Sequence, residues 1–293
     1  MGKRTVGEKE KAQIIYELRR EFKITELVKI ADIPRSTYYY HVKQMNKPEK
    51  HKDVKERISS IYHENKGRYG YRRITLALRN EGRLINHKRV QRLMNELGIF
   101  SKVRMHKYYS YKGEVGKIAP NLLERKFSAD KPNQKWVTDI TEFALFGQKL
   151  YLSPILDLYN GEIVSYNISS SPNYRQIEDM LSKAFVKLPD NTNLIFHSDQ
   201  GWQYQMKKYQ RALRAKGIRQ SMSRKGNCLD NAVMEGFFGH LKSELLYLQE
   251  FNSLEHFTAE LTEYLDYYNN RRIKEKLKGM SPVEYKIRHG FAA

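Results

Sequence analysis

The sequence predicts an α/β protein in which a mixed, five-stranded sheet covered by helices follows small all-α modules. Three observations carry that reading. From about Ser128 the runs KWVTDITEFAL, KLYLSPILDLY and EIVSYNIS are rich in β-branched and aromatic residues and are joined by FGQ and NG turns, so they read as three antiparallel strands in a meander. Beyond them short strands alternate with helical patterns, the arrangement that lays helices over a sheet. Ahead of Ser128 apolar residues recur only at helical spacing.

Taken in order, the segment from Glu8 to about Val42 holds an apolar stripe of Ile14, Ile15 and Leu18, and Ile24, Leu27 and Val28 begin a second. In IADIPRSTYYYHV, Pro34 ends one element and Ser36 is the expected N-cap of the next. This is a helix-turn-helix pattern. Arg35, Ser36 and Thr37, followed by three tyrosines, suit a recognition helix that touches phosphates and base edges, although a plain helical packing module would show the same pattern. QMNKPEKHKD is polar, contains Pro48 and reads as a linker.

A second helical module runs from about Val54 to Lys102. Ile58, Ile61 and Tyr62 stripe its first helix, GRYGYRRI makes a glycine-punctuated turn, Ile74, Leu76 and Leu78 follow, and NHKRVQRLMNELGI closes on Gly98 as a C-cap. His87, Lys88, Arg89 and Arg92 lie beside the apolar Val90, Leu93 and Leu97; with Arg72 and Arg73 they form the basic face where DNA is expected. Residues 103–127, rich in Lys, Arg and Tyr, read equally as a DNA-tracking connector or a solvated linker.

After the meander the pattern predicts a helix over roughly 173–187, a strand at 193–197, a helix over about 203–216, a strand near 218–222 and a helix from about Asp230 to Leu248. A further helix is expected over about 253–270, followed by the basic RRIKEKLKGMSPVEY. The expected boundaries are 1–45 for the first module, 46–55 for the linker, 56–103 for the second helix-turn-helix, 104–127 for the connector, 128–248 for the core and 249–293 for a C-terminal helical extension.

Charge narrows the partners. The 293 residues carry 53 Lys and Arg against 33 Asp and Glu, a net +20 that points to polyanions such as nucleic acid. Residues 1–127 hold 31 basic and 14 acidic side chains, and residues 128–293 only 22 and 19, so the amino-terminal part is the electrostatic anchor. The lone Cys228 excludes an intrachain disulfide and a cysteine-based zinc site, and fits a reducing compartment. The first residues lack a signal peptide and no run approaches 18 apolar residues, so no membrane partner is expected and the expected location is cytoplasmic, on the nucleoid.

Three acids stand out. Asp139 interrupts the strand-like WVTDITEF, and strands are where Asp is depleted. Asp199 follows the apolar strand of LIFHSDQGWQY, where sheets of this kind open a ligand crevice at the carboxyl ends of their strands. Glu235 lies on the helix DNAVMEGFFGHLKSELL. There Val233, Phe237, Leu241 and Leu245 form the stripe expected to face the core, while Asn231, Glu235, Phe238 and Lys242 form a second stripe toward a cleft edge. Asp157, Glu142, Asp230 and Glu244 compete for the same roles; Asp157 precedes the NG turn and reads as a turn or strand-end residue.

The segments KWVTDIT, HSDQGWQY, SMSRKGNCLDNAVMEGFFGHLKSE and YYNNRRIKEKLKGMSP resemble, in order and spacing, the transposases of the IS3 group of bacterial insertion sequences, specifically the product of their second reading frame. Retroviral integrases are the wider relatives. The 35 residues between Asp199 and Glu235 match the spacing by which this acidic triad is usually named. The resemblance implies an RNase H-like core with Asp139 on the first strand, Asp199 after the fourth and Glu235 on a later helix. It makes the three acids both the catalytic residues and the ligands of Mg²⁺ or Mn²⁺, with two ions per active site, in a DDE transposase that nicks DNA at the 3′ end of an element and transfers the strand.

It also implies that Lys242 approaches the DNA end. Asn231 and His197 match motif positions, with orienting a metal ligand from behind or contacting a substrate phosphate as their candidate roles. The implied partners are double-stranded DNA (terminal repeats and target), further copies of the chain on paired DNA ends, and the product of an upstream reading frame.

Overall fold

The computed structural model describes residues 7–45, 51–103, 118–189, 192–224 and 227–292. Most of the predicted connector, and residues 46–50 of the linker, lie outside them. The chain divides into two compact units, Met1–Glu56 and Arg57–Ala293.

The first unit contains α1 (Glu8–Leu18), α2 (Ile24–Ile30), α3 (Arg35–Met45) and the start of α4 (Lys52–Glu64). Ala12, Ile15, Val28, Ile33 and Tyr38 form its core. The Pro34 carbonyl accepts the first helical bond of α3, from Tyr38 N–H at 3.1 Å. Pro34 therefore occupies the cap position. Ser36, expected there, lies in the first turn, because a proline lacks an N–H to lose and already has the φ a helix entry needs. The predicted linker ends early for a similar local reason: α4 starts at Lys52, with Asp53 in its first turn, where the helix dipole favours an acid.

In the second unit α4 continues into α5 (Tyr71–Asn80) and α6 (His87–Glu96). Asn86 caps α6, accepting from Lys88 N–H at 2.9 Å, and Gly98 just beyond its end takes the left-handed conformation expected of it. The buried stripe of α6 is Val90, Leu93 and Met94; Leu97, placed there from sequence, is exposed because the helix has already ended.

The sheet contains β1 (Lys135–Thr138), β2 (Thr141–Leu145), β3 (Gln148–Asp157), β4 (Ile163–Ser169), β5 (Ile195–Ser198) and β6 (Arg219–Met222). β2 and β1 pair successive halves of the long β3, so they form one row broken at Asp139 and Ile140, and six strands make five rows. Pairing is antiparallel through β4, β3 and the β1/β2 row, and parallel from β1 to β5 to β6.

α7 (Tyr174–Phe185), α8 (Trp202–Gln205) and α9 (Lys207–Ala215) cover one face, packing Ile177, Met180, Tyr204, Tyr209 and Leu213 on Trp136, Ile155 and Phe196. Alternation turns Val137, Phe143, Leu152 and Leu156 to the other face. There lie α10 (Ala232–Leu241), a five-residue π turn (Lys242–Leu246) and α11 (Leu254–Asn270), with Phe143 edge-on to Phe257 at 5.0 Å. α12 (Pro282–Arg288) ends the chain's regular structure.

The second helical module and the tail meet in this unit around a buried ion cluster. Glu244 of the π turn accepts from Arg272 Nε and Nη2 at 2.8 and 2.7 Å, from Arg73 Nη1 at 3.1 Å and from the Tyr264 hydroxyl at 3.1 Å. Tyr69 donates to the Arg271 carbonyl, and Asn80 to that of Gly279. Of the predicted connector, residues 118–127 are docked on the core: Pro120 accepts from Met222 N–H, and Leu122 N–H donates to Ser221 Oγ.

Candidate active site

Sheet register brings the first two acids together. Lys135, Trp136 and Val137 pair with Ile195, Phe196 and His197, a constant offset of 60, and carrying it two residues further sets Asp139 beside Asp199 at the carboxyl ends of neighbouring parallel strands. Neighbouring rows are about 4.8 Å apart. Burial, then the charge of Asp199, then that of Glu235, push the Asp139 proton affinity well above the ordinary carboxylate value; burial raises Asp199 and Glu235 too. The three acids thus share one electrostatic neighbourhood.

Local bonds aim each carboxylate. Asp139 Oδ1 accepts from Ile140 N–H at 2.7 Å, and Oδ2 accepts from Asn231 Nδ2 at 3.0 Å. Asp199 Oδ1 accepts from Gly201 N–H at 2.8 Å. A Cβ on Gly201 would lie 3.0 Å from that same oxygen and from Gln203 Oε1, so a larger residue there would press on the Asp199 carboxylate and shift it by a few tenths of an ångström. Glu235 is half-buried on α10, whose buried face is Met234, Phe237, Phe238 and Leu241. The helix is thus rotated by about one residue from the expected stripe: Val233 is only half-buried, and Phe238, assigned to the cleft, is in the core.

Hard divalent cations fit this donor set, which is all oxygen and anionic. Among the described residues no basic side chain forms an ion pair with Asp139, Asp199 or Glu235, and the Asn231 Oδ1 atom is buried without a hydrogen-bond partner. Among the described residues no three His, Cys, Asp or Glu side chains stand close enough to enclose an ion. Asp139, Asp199 and Glu235 are the side chains that would hold such ions.

The other predicted residues separate. His197 is fully buried with Nδ1 2.8 Å from Ser221 Oγ and Nε2 3.1 Å from Ser223 Oγ, and burial lowers its pKa to about 4, so a neutral ring braces β5 against β6. Lys242 opens the π turn, half-buried with its ammonium 5.9 Å from the Phe143 ring; burial lowers its pKa. Arg73 is taken up by Glu244 instead of facing solvent, whereas Arg72, Lys88, Arg89 and Arg92 are exposed. Arg35, Ser36 and Thr37 open α3 in the separate first unit.

Of the competing acids, Asp230 is clamped by Arg224 and Arg125, which hold it far below the ordinary range, and Glu142 pairs with Lys149. Asp157 accepts from Asn133 and Tyr159 N–H and from the Trp136 indole, a strand-end brace as its position before the NG turn suggested. Sequence reasoning missed Tyr204 and Tyr209, whose buried hydroxyls have no hydrogen-bond partner and which burial, together with the Asp199 charge, keeps protonated. Their helical spacing after HSDQGW resembles that of ordinary core residues.

The Integrase core domain family matches residues 129–228, a second Integrase core domain family matches 235–289, and the HTH-like domain family matches 50–107. InsK of Escherichia coli K12, designated a transposase for insertion sequence element IS150, is 56% identical over 274 residues, covering 94% of this chain and 97% of that one. InsF of the same organism, a transposase for insertion sequence IS3A, is 31% identical over 271 residues, covering 90% and 94%. Among solved structures, the HTLV-2 integrase catalytic core domain in complex with magnesium (trimeric form) matches 53% of this chain and 97% of its own at 16% identity and a TM-score of 0.42, a likeness too weak to argue from.

Proposed function

The chain belongs to the insertion-sequence transposases of the IS3 and IS150 kind, with an HTH-like domain and an integrase core domain, and we propose that it nicks DNA at the 3′ end of its element and joins the freed end to another strand. The observation that carries this reading is the register that puts Asp139 and Asp199 side by side within electrostatic reach of Glu235. Bound Mg²⁺ or Mn²⁺, two ions on this proposal, would supply the Lewis acidity that activates the attacking oxygen and stabilises the leaving one.

The chain's own residues hold and orient. Asp139 and Asp199 present fixed oxygens, Asn231 fixes the rotation of the Asp139 carboxylate, and Gly201 N–H fixes that of Asp199. Glu235 supplies the third carboxylate from a separate element. The exposed Arg72, Lys88, Arg89 and Arg92 would grip the terminal repeat through its phosphates, and several copies would pair two ends.

The test is an oligonucleotide carrying the element's terminal repeat, incubated with the protein and Mg²⁺ or Mn²⁺. Both a nicked and a joined product are expected. Asp139→Asn, Asp199→Asn or Glu235→Gln should abolish both while leaving DNA binding intact. Cleavage with no joined product would reduce the protein to a nuclease, and unchanged cellular effects of Asp199→Asn would reduce it to a DNA-binding regulator.

A further inference from the structure

Residues 128–293 are close to charge balance, with 22 basic and 19 acidic side chains, yet α9 is not. Its exposed residues include Lys207, Lys208, Arg211 and Arg214; it contains no acid, and among the described residues none of the four forms an ion pair. Its inward face is Tyr209 and Leu213, both buried.

Arg214 lies in the last turn, where the helix dipole favours a cation, and the Lys208 ammonium stands 6.0 Å from the Tyr174 ring, but the rest of the row does not help the helix. Lys207 and Arg211 are like charges one turn apart, and Lys207 and Lys208 stand at the end where the helix dipole disfavours cations. Position gives the row a use. Tyr209, on the inward face, feels the charge of Asp199, so α9 packs within electrostatic reach of that acid. α9 starts near the carboxyl end of β5, where Asp199 lies, and its chain returns to the sheet through β6, so the row leads away from the acids over about 10 Å.

Joining needs two DNA segments at one set of acids, and the strongly basic residues 1–127 already offer a surface for the element's end. Resting on the proposed function, we propose that the outward face of α9 binds the phosphate backbone of the second duplex, the one that receives the joined end.

The test uses the full chain carrying Arg211→Gln and Arg214→Gln together, with a melting curve to check that these surface changes leave the fold intact. A second variant, Lys207→Gln with Lys208→Gln, probes the acid-proximal half. Protein preloaded with terminal-repeat duplex is titrated with a second, repeat-free duplex at several salt concentrations, and joining is followed against the concentration of that duplex. The expected result is unchanged affinity for the terminal repeat, about tenfold more second duplex needed for half-maximal binding and joining, and a salt slope shallower by about 2. Second-duplex binding and salt slope equal to those of the wild type would overturn the proposal, as would a loss that falls on terminal-repeat affinity instead. The binding arm requires no chemistry, so a wild-type protein that joins nothing would defeat the proposed reaction while this surface is still judged by its slope.

Discussion

Asn231 is the clearest case of a single side chain with a specific task. Its amide donates to one oxygen of Asp139 while Ile140 N–H holds the other, and a buried carboxylate that loses one of two donors is held less firmly. Asn231→Ala should reduce nicking by about 10- to 100-fold and weaken Mn²⁺ binding in calorimetry, with an unchanged melting curve. Asn231→Asp, which swaps the donor for a charge beside an acid, should be at least as harmful. His197, its companion in the sequence reading, should behave differently, because it touches Ser221 and Ser223 and none of the three acids. The motif position was legible for both; which nitrogen meets which oxygen was not, because that depends on side chains from strands and helices far apart in the chain.

At the scale of elements, the π turn after α10 decides where Glu244 goes. Ser243, Glu244 and Leu245 are all buried, three in a row, which a regular helix face does not allow and an inserted residue does. Glu244 then meets Arg272 and Arg73. Burial alone would raise its pKa, but the two arginines outweigh burial and hold it at about 2. Because the folded-state pKa is depressed, the stabilisation is present above the ordinary glutamate value and is lost as pH falls toward 2. Glu244→Gln would leave Arg272 buried with its charge unpaired, and should cost roughly 3–5 kcal/mol in urea unfolding at pH 7. The difference from wild type should shrink once the pH is below about 4. The sequence placed Glu244 only among rival acids for the active site, since a glutamate on a helix gives no sign of an arginine 28 residues further on.

For the whole molecule, the division at Glu56 separates a small helical unit from everything else. Residues 1–56 carry 14 basic and 9 acidic side chains, whereas residues 57–127 carry 17 and 5. A chain starting at residue 57 should therefore melt in one cooperative transition and keep more than half of the salt slope of terminal-repeat binding, measured by fluorescence anisotropy. A collapse of both would mean that the small unit supports the large one.

Periodicity determined the elements. Alternation and helical spacing are written into neighbouring residues, so the five-row sheet, its helices and the basic amino-terminal modules could be read before any contact was known. An acid inside a strand-like run, an acid just after a strand and an acid on a helix stripe likewise singled out Asp139, Asp199 and Glu235, although Asp139 proves to lie just past the end of β1. Tertiary structure alone decided what those side chains meet: the strand offset that sets Asp139 beside Asp199, the rotation that buries Phe238, the diversion of Arg73 to Glu244, and the empty-handed hydroxyls of Tyr204 and Tyr209. These are pairings across long stretches of chain, fixed by register and packing, and no local pattern records them.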